Sequence, residues 1–190
     1  LAQGMVNTVQ IFIVLGAGTI LSRYVPELIQ QSARRAVQIV NLCFIFLLIT
    51  SALLVILGAI WSNDISVHLL DLPMSSTLPY WIIAWVVLSG LNSVFLSIIL
   101  SFEKGRISGI VSFLVSLPMI LLVPLSAQRW GLDGAVISLV LVTAFKAVLF
   151  FACYVHLLRV LGVPLCTRPK RSDTPLLLSF GIPVFLSSAL

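Results

Sequence analysis

Of the eleven basic and six acidic side chains in the chain, one stands deep inside an apolar stretch: Lys146, near the middle of Gly134–Leu158. A charge at the bilayer centre costs about 2.5–3.5 kcal/mol or more, so such a residue faces a bundle interior or a wet cavity rather than lipid. Its helical neighbours Val142, Thr143 and Phe150 cannot neutralise it. Its counter-charge must come from another segment or an anionic substrate, or else the amine must give up its proton. Two roles stay open for Lys146: a cationic site on a substrate path, or a structurally paired lysine.

Polar side chains recur in the other apolar stretches. Gln3, Asn7 and Gln10 follow an i, i+4, i+7 spacing, which gathers three amides on one helical face. Lipid cannot hydrogen-bond them, so they bond to a neighbouring helix or line a polar pathway. Asn92 stands with Ser89, Ser93 and Ser97 on one broad side of its stretch. Ser108, Ser112 and Ser116 repeat every fourth residue ahead of Pro118 and Pro124. Small residues at that spacing favour close helix packing, and Pro118 predicts a kink. Gly16 and Gly18 would permit close packing or bending.

Other chemistry is missing from the pattern. All six carboxylates (Glu27, Asp64, Asp71, Glu103, Asp133, Asp173) fall in loops or at the edges of apolar stretches. Cys43, Cys153 and Cys166 have neither a CxxC motif nor metal-ligand spacing, and read as small apolar filler. His68, in DISVHLLDLP, lacks a second His or Cys nearby, so no metal site is expected. No nucleophile elbow, HExxH or phosphate loop is present. The residues call for no cofactor, and the reading is transport rather than catalysis.

The elements that must position these residues follow from composition. Hydrophobic residues make up 60% and charged residues 9%, whereas soluble domains average roughly half and a quarter. A water-soluble enzyme or a disordered tail is therefore excluded, and an all-α polytopic integral membrane protein is expected. About 20 apolar residues cross a bilayer, which predicts spans at about 1–21, 36–61, 78–101, 107–127 and 134–158. A basic linker follows at 159–174, and a further span starts at 175–190. Since both ends lie inside apolar runs, the sequence reads as an internal piece of a longer protein.

Nine Lys and Arg residues fall in loops 22–35, 102–106 and 159–174, against Arg129 alone in the alternate loops. The positive-inside rule makes the first three loops cytoplasmic. Cations divided among short interhelical loops do not form a nucleic-acid interface. Membrane lipids are the expected surroundings, with anionic headgroups near Arg168, Lys170 and Arg171.

Several stretches resemble one family. Gly16-Ala17-Gly18 leads into Ser22-Arg23-Tyr24-Val25-Pro26-Glu27-Leu28. Ser89-Gly90-Leu91 is followed by Phe102-Glu103-Lys104-Gly105-Arg106. Trp130-Gly131-Leu132-Asp133-Gly134-Ala135 and Phe180-Gly181-Ile182-Pro183 come after. In order and spacing these are similar to the polysaccharide flippases of the MOP exporter superfamily, which include the Wzx-type O-antigen flippases. The resemblance implies most of one six-helix lobe of a two-lobe transporter, with residues 1–158 supplying helices two to six. It also implies a bacterial inner-membrane protein that flips a lipid-linked oligosaccharide by alternating access, with H+ or Na+ as candidate coupling ions.

On this resemblance Lys146 supplies cavity charge, and Gln3, Asn7, Gln10 and Asn92 line the pathway. Arg23 sits near the cytoplasmic mouth. Rival readings are a multidrug or lipid II exporter of the same superfamily, and a membrane-embedded glycosyltransferase or polymerase. A multidrug exporter would carry intramembrane acids, and a glycosyltransferase or polymerase a large outer loop with catalytic residues.

Overall fold

The computed structural model describes residues 17–60, 78–102 and 104–164, and all regular structure among them is α-helical. The elements are α1 (Ala17–Gln31), α2 (Ala33–Ile60), α3 (Leu78–Ser101) and α4 (Gly105–Val160). Of these, α2, α3 and α4 are long and apolar enough to cross a membrane. Gln3, Asn7, Gln10, the segment around His68, Cys166, most of the basic linker and residues 175–190 lie outside the described residues.

The expected loop 22–35 is corrected by α1, which stays helical to Gln31. Leu21 and Val25 are fully buried, and Leu28 and Ile29 pack against the same core. That i, i+4, i+7, i+8 pattern is an amphipathic helix, with Arg23 and Glu27 exposed. Pro26 lies inside α1, where its ring matches a helical φ but supplies no N–H for the intrahelical hydrogen bond. The interruption before α2 is a single residue, Ser32, whose N–H donates to Leu28 O at 2.7 Å. Ser32 O in turn accepts from the N–H groups of Arg35 and Ala36.

On α2, Val37, Val40, Cys43, Leu47 and Ser51 form one buried stripe, while Leu48, Ile49, Leu53, Ile56 and Ile60 are exposed. A helix apolar on all sides with half its surface uncovered is suited to lipid contact. The α2 helix runs antiparallel to α3: Phe44 meets Phe95 edge to face at 5.0 Å, and Gly58 lies against Ile83. Gly18 of α1 approaches α3 so closely that an added Cβ would sit 3.0 Å from Ser97 Oγ. Close helix approach at small residues is thus realised at this glycine.

The spans expected at 107–127 and 134–158 belong to α4, which is helical over 56 residues except at Gly131 (φ 63°, ψ −144°). Only glycine adopts that conformation readily. The chain reverses there: the Ser126 and Ser138 hydroxyls lie 2.8 Å apart, although twelve residues separate them. Residues 105–130 and 132–160 are therefore two arms of a helical hairpin, each about 40 Å long at 1.5 Å per residue. Each is longer than the roughly 30 Å hydrocarbon core. Backbone dihedrals remain helical through Pro118 and Pro124, so the sharp break falls at the glycine.

The second arm returns alongside α3, parallel to it. Arg34 and Arg35 begin α2, Lys104 and Arg106 flank the α3–α4 turn, and Arg159 ends the second arm. All five are exposed. The helix directions bring them to one end of the bundle, opposite the hairpin tip that carries Arg129.

Candidate functional site

Lys146 sits one turn past Thr143 and one turn before Phe150 on the second arm of α4. Leu139, Thr143, Lys146, Phe150 and Tyr154 share one helical face at 100° per residue. The lysine is half-buried, and its Nζ stands 5.5 Å from the centroid of the Phe150 ring. Phe150 is fully buried. The ring face offers the ammonium a cation–π contact, which strengthens where water is excluded. That contact is attractive but carries no negative charge, so Lys146 keeps its capacity to attract an anion.

Asn92 fixes the turn that precedes the lysine. It is buried on α3, and its Nδ2 donates to Thr143 O at 3.0 Å. The Thr143 hydroxyl donates back to Leu139 O at 2.6 Å, so this turn is held from both sides. Asn92 Oδ1 is buried and has no hydrogen-bond partner among the described residues. An unpaired buried acceptor is costly, and it marks the polar point of an otherwise apolar helix contact. Below it, Phe44, Phe95, Phe151 and Tyr154 form an aromatic cluster with centroids 5.0–6.3 Å apart. The cluster clamps α2, α3 and the second arm together.

The structure thus joins two of the sequence-predicted residues through one helical turn, Asn92 directly and Lys146 one turn on. Arg23 is on a different helix, exposed, with its guanidinium carbon 5.9 Å from the Tyr24 ring centroid. Gln3, Asn7 and Gln10 lie outside the described residues. The serines near Asn92 turn to their own helix: Ser97 Oγ donates to Ser93 O and Ser101 Oγ to Ser97 O. Such bonds satisfy the hydroxyls locally and leave them fewer ties to a neighbour.

Two contributors were missed from sequence. Thr143 supplies the acceptor for Asn92 through its backbone, and a backbone carbonyl has no residue-type signal. Tyr154 is buried with a hydroxyl that has no partner among the described residues. Its position two turns past Lys146, on the same face of an apolar helix, was a usable signal. Compared with protein-family models, with curated proteins and with solved structures, the chain finds no match.

Proposed function

We propose that the chain belongs to a membrane exporter of the polysaccharide-flippase type, which carries a polyprenyl-diphosphate-linked oligosaccharide across the bacterial inner membrane by alternating access. The observation that carries this reading is Lys146: a half-buried cation within a membrane-length helix, backed by the Phe150 ring and steadied by Asn92. A diphosphate cannot cross hydrocarbon unaided, so its carrier must offer a wet, positively charged path while the polyprenyl tail stays in lipid. Lys146 attracts the phosphates, and Asn92 holds the turn of α4 that precedes it.

On this reading Gln3, Asn7 and Gln10, which share one helical face by their spacing, would line the pathway, and Arg23 would lie toward its cytoplasmic mouth. The two carboxylates among the described residues, Glu27 and Asp133, are both exposed, which favours an anionic over a cationic cargo. Rocking of one lobe against another about a midplane site alternates access.

Replacing Lys146 by alanine is expected to lower surface glycan by about tenfold, the scale of one lost hydrogen bond to a charged group. Protein abundance in the membrane should not change. Lys146→Arg should retain most export. Surface glycan would be quantified against membrane-inserted protein in each strain. Normal glycan in the alanine variant, at equal abundance, would overturn the assignment.

A further inference from the structure

Below the turn at Gly131 the two arms of α4 touch at Ser126, Gly134 and Ser138, and a groove of about 600 Å3 runs along their seam. That volume is within the range of roughly 300–1,000 Å3 typical of small-molecule sites. Leu122 on one arm faces Ile137 and Leu141 on the other, and Trp130 closes the tip. Ser126 and Ser138 also line the groove, but their hydroxyls are engaged with each other and with Leu122 O and Ala135 O. The interior therefore offers an occupant hydrocarbon contact and little hydrogen bonding.

The rim is different. Asp133 lines the groove, and Arg129 stands four residues before it across the Gly131 turn; both are exposed. Trp130 between them is 67% exposed, and tryptophan favours the headgroup level of a membrane. With Asp133 on its lining and Arg129 next to the lining residue Trp130, the apolar cleft has an anion and a cation at its hairpin end, which complements a molecule with a hydrocarbon chain and a zwitterionic head. Nearby Ile120, Leu121 and Leu125 are exposed and apolar, so the cleft is reached sideways from the bilayer.

We propose that this groove holds an acyl chain of a glycerophospholipid whose phosphate meets Arg129 and whose primary ammonium meets Asp133. An anionic headgroup would set no cation against Asp133. A quaternary ammonium would have no N–H to donate to it. Phosphatidylethanolamine has the matching chemistry. The site is separate from the Lys146 path and does not depend on the cargo assigned there.

The test is native mass spectrometry of the full-length protein, released from micelles containing equal amounts of phosphatidylethanolamine, phosphatidylcholine and phosphatidylglycerol. The wild type should retain phosphatidylethanolamine about fivefold over the other two, the scale of one exposed ion pair. Asp133→Asn should remove that preference while leaving lipid bound. Leu141→Trp, which fills the groove from an exposed position, should reduce retention of all three lipids.

Equal retention by the wild type, or a preference that survives both variants, would overturn the proposal. So would protection of Leu141→Cys from a bilayer-soluble maleimide in protein that retains no lipid. That result would mean another segment or a second copy of the chain fills the groove.

Discussion

The second arm of α4 takes part in two helix contacts of opposite character. Where it lies beside α3, large side chains interlock: Phe95 and Tyr154 meet in the aromatic cluster, Phe150 is fully buried, and Asn92 is tied to Thr143. Where it meets its own first arm at the hairpin tip, Leu122 and Leu141 stay 49% and 62% exposed around an open groove. Both contacts are built mainly from apolar residues, so apolarity does not distinguish them. In a bilayer, lipid tails are as apolar as leucine, and helix contacts are decided by shape and by interhelical hydrogen bonds. The α3 contact is set by side chains, and the hairpin is set by backbone.

The strongest way to break that contrast is to add a side chain where the hairpin depends on having none. A Cβ on Gly134 would lie 2.5 Å from Ser126 O and 2.8 Å from Trp130 Cβ. Backbone cannot yield as a flexible side-chain tip can. Gly134→Val should therefore cost about 3 kcal/mol, at the upper end of ordinary overpacking, in reversible SDS unfolding. Its effect should stop at the hairpin, so a disulfide engineered between α2 and α3 near Phe44 and Phe95 should still form. A cost below about 1 kcal/mol, within the common run of substitutions, would show that the tip is not set by glycine.

The α3 contact can be sharpened through Asn92, with a smaller effect. Asn92→Ala removes the bond to Thr143 O and should cost about 1 kcal/mol. Leucine has the same branching as asparagine but brings no buried acceptor, so Asn92→Leu should be close to neutral in stability. If Asn92 only holds two helices together, export should be normal in the leucine variant. If it positions the turn before Lys146, export should fall while unfolding is unchanged. Parallel measurement of glycan export and SDS unfolding separates the two roles.

Much of this arrangement was legible in the sequence. The α3 span over 78–101 and the isolation of Lys146 follow from hydropathy and charge, because both report what lipid will accept. The Gly131–Gly134 stretch was visible as an entry motif, though its sharp reversal required the dihedrals. Arg23 and Glu27 give the second half of α1 the look of a loop, since charge commonly marks the end of an apolar span. Leu21, Val25, Leu28 and Ile29 were the competing signal, and a helix with one apolar face can carry charge on the other. The tie from Asn92 to Thr143 was not legible, because fifty-one residues separate donor and acceptor and the acceptor is backbone. The groove depends on how the two arms pack against each other, which no local pattern encodes.

The finest test of the contrast concerns the one pair of side chains that bonds across the hairpin. Ser126 and Ser138 hydroxyls are 2.8 Å apart, but each has a local alternative: Leu122 O lies 2.6 Å from Ser126 Oγ, and Ala135 O lies 2.9 Å from Ser138 Oγ. A hydroxyl has a single proton, so when Ser138 is lost the Ser126 proton still has the Leu122 carbonyl. The pair should then be worth little. A double-mutant cycle of Ser126→Ala and Ser138→Ala should give a coupling of about 0.6 kcal/mol or less, the average for interhelical hydrogen bonds in membranes. A coupling near 2 kcal/mol, above the largest such values, would mean that the serines hold the arms together. The hairpin would then be fixed by side chains, as the α3 contact is.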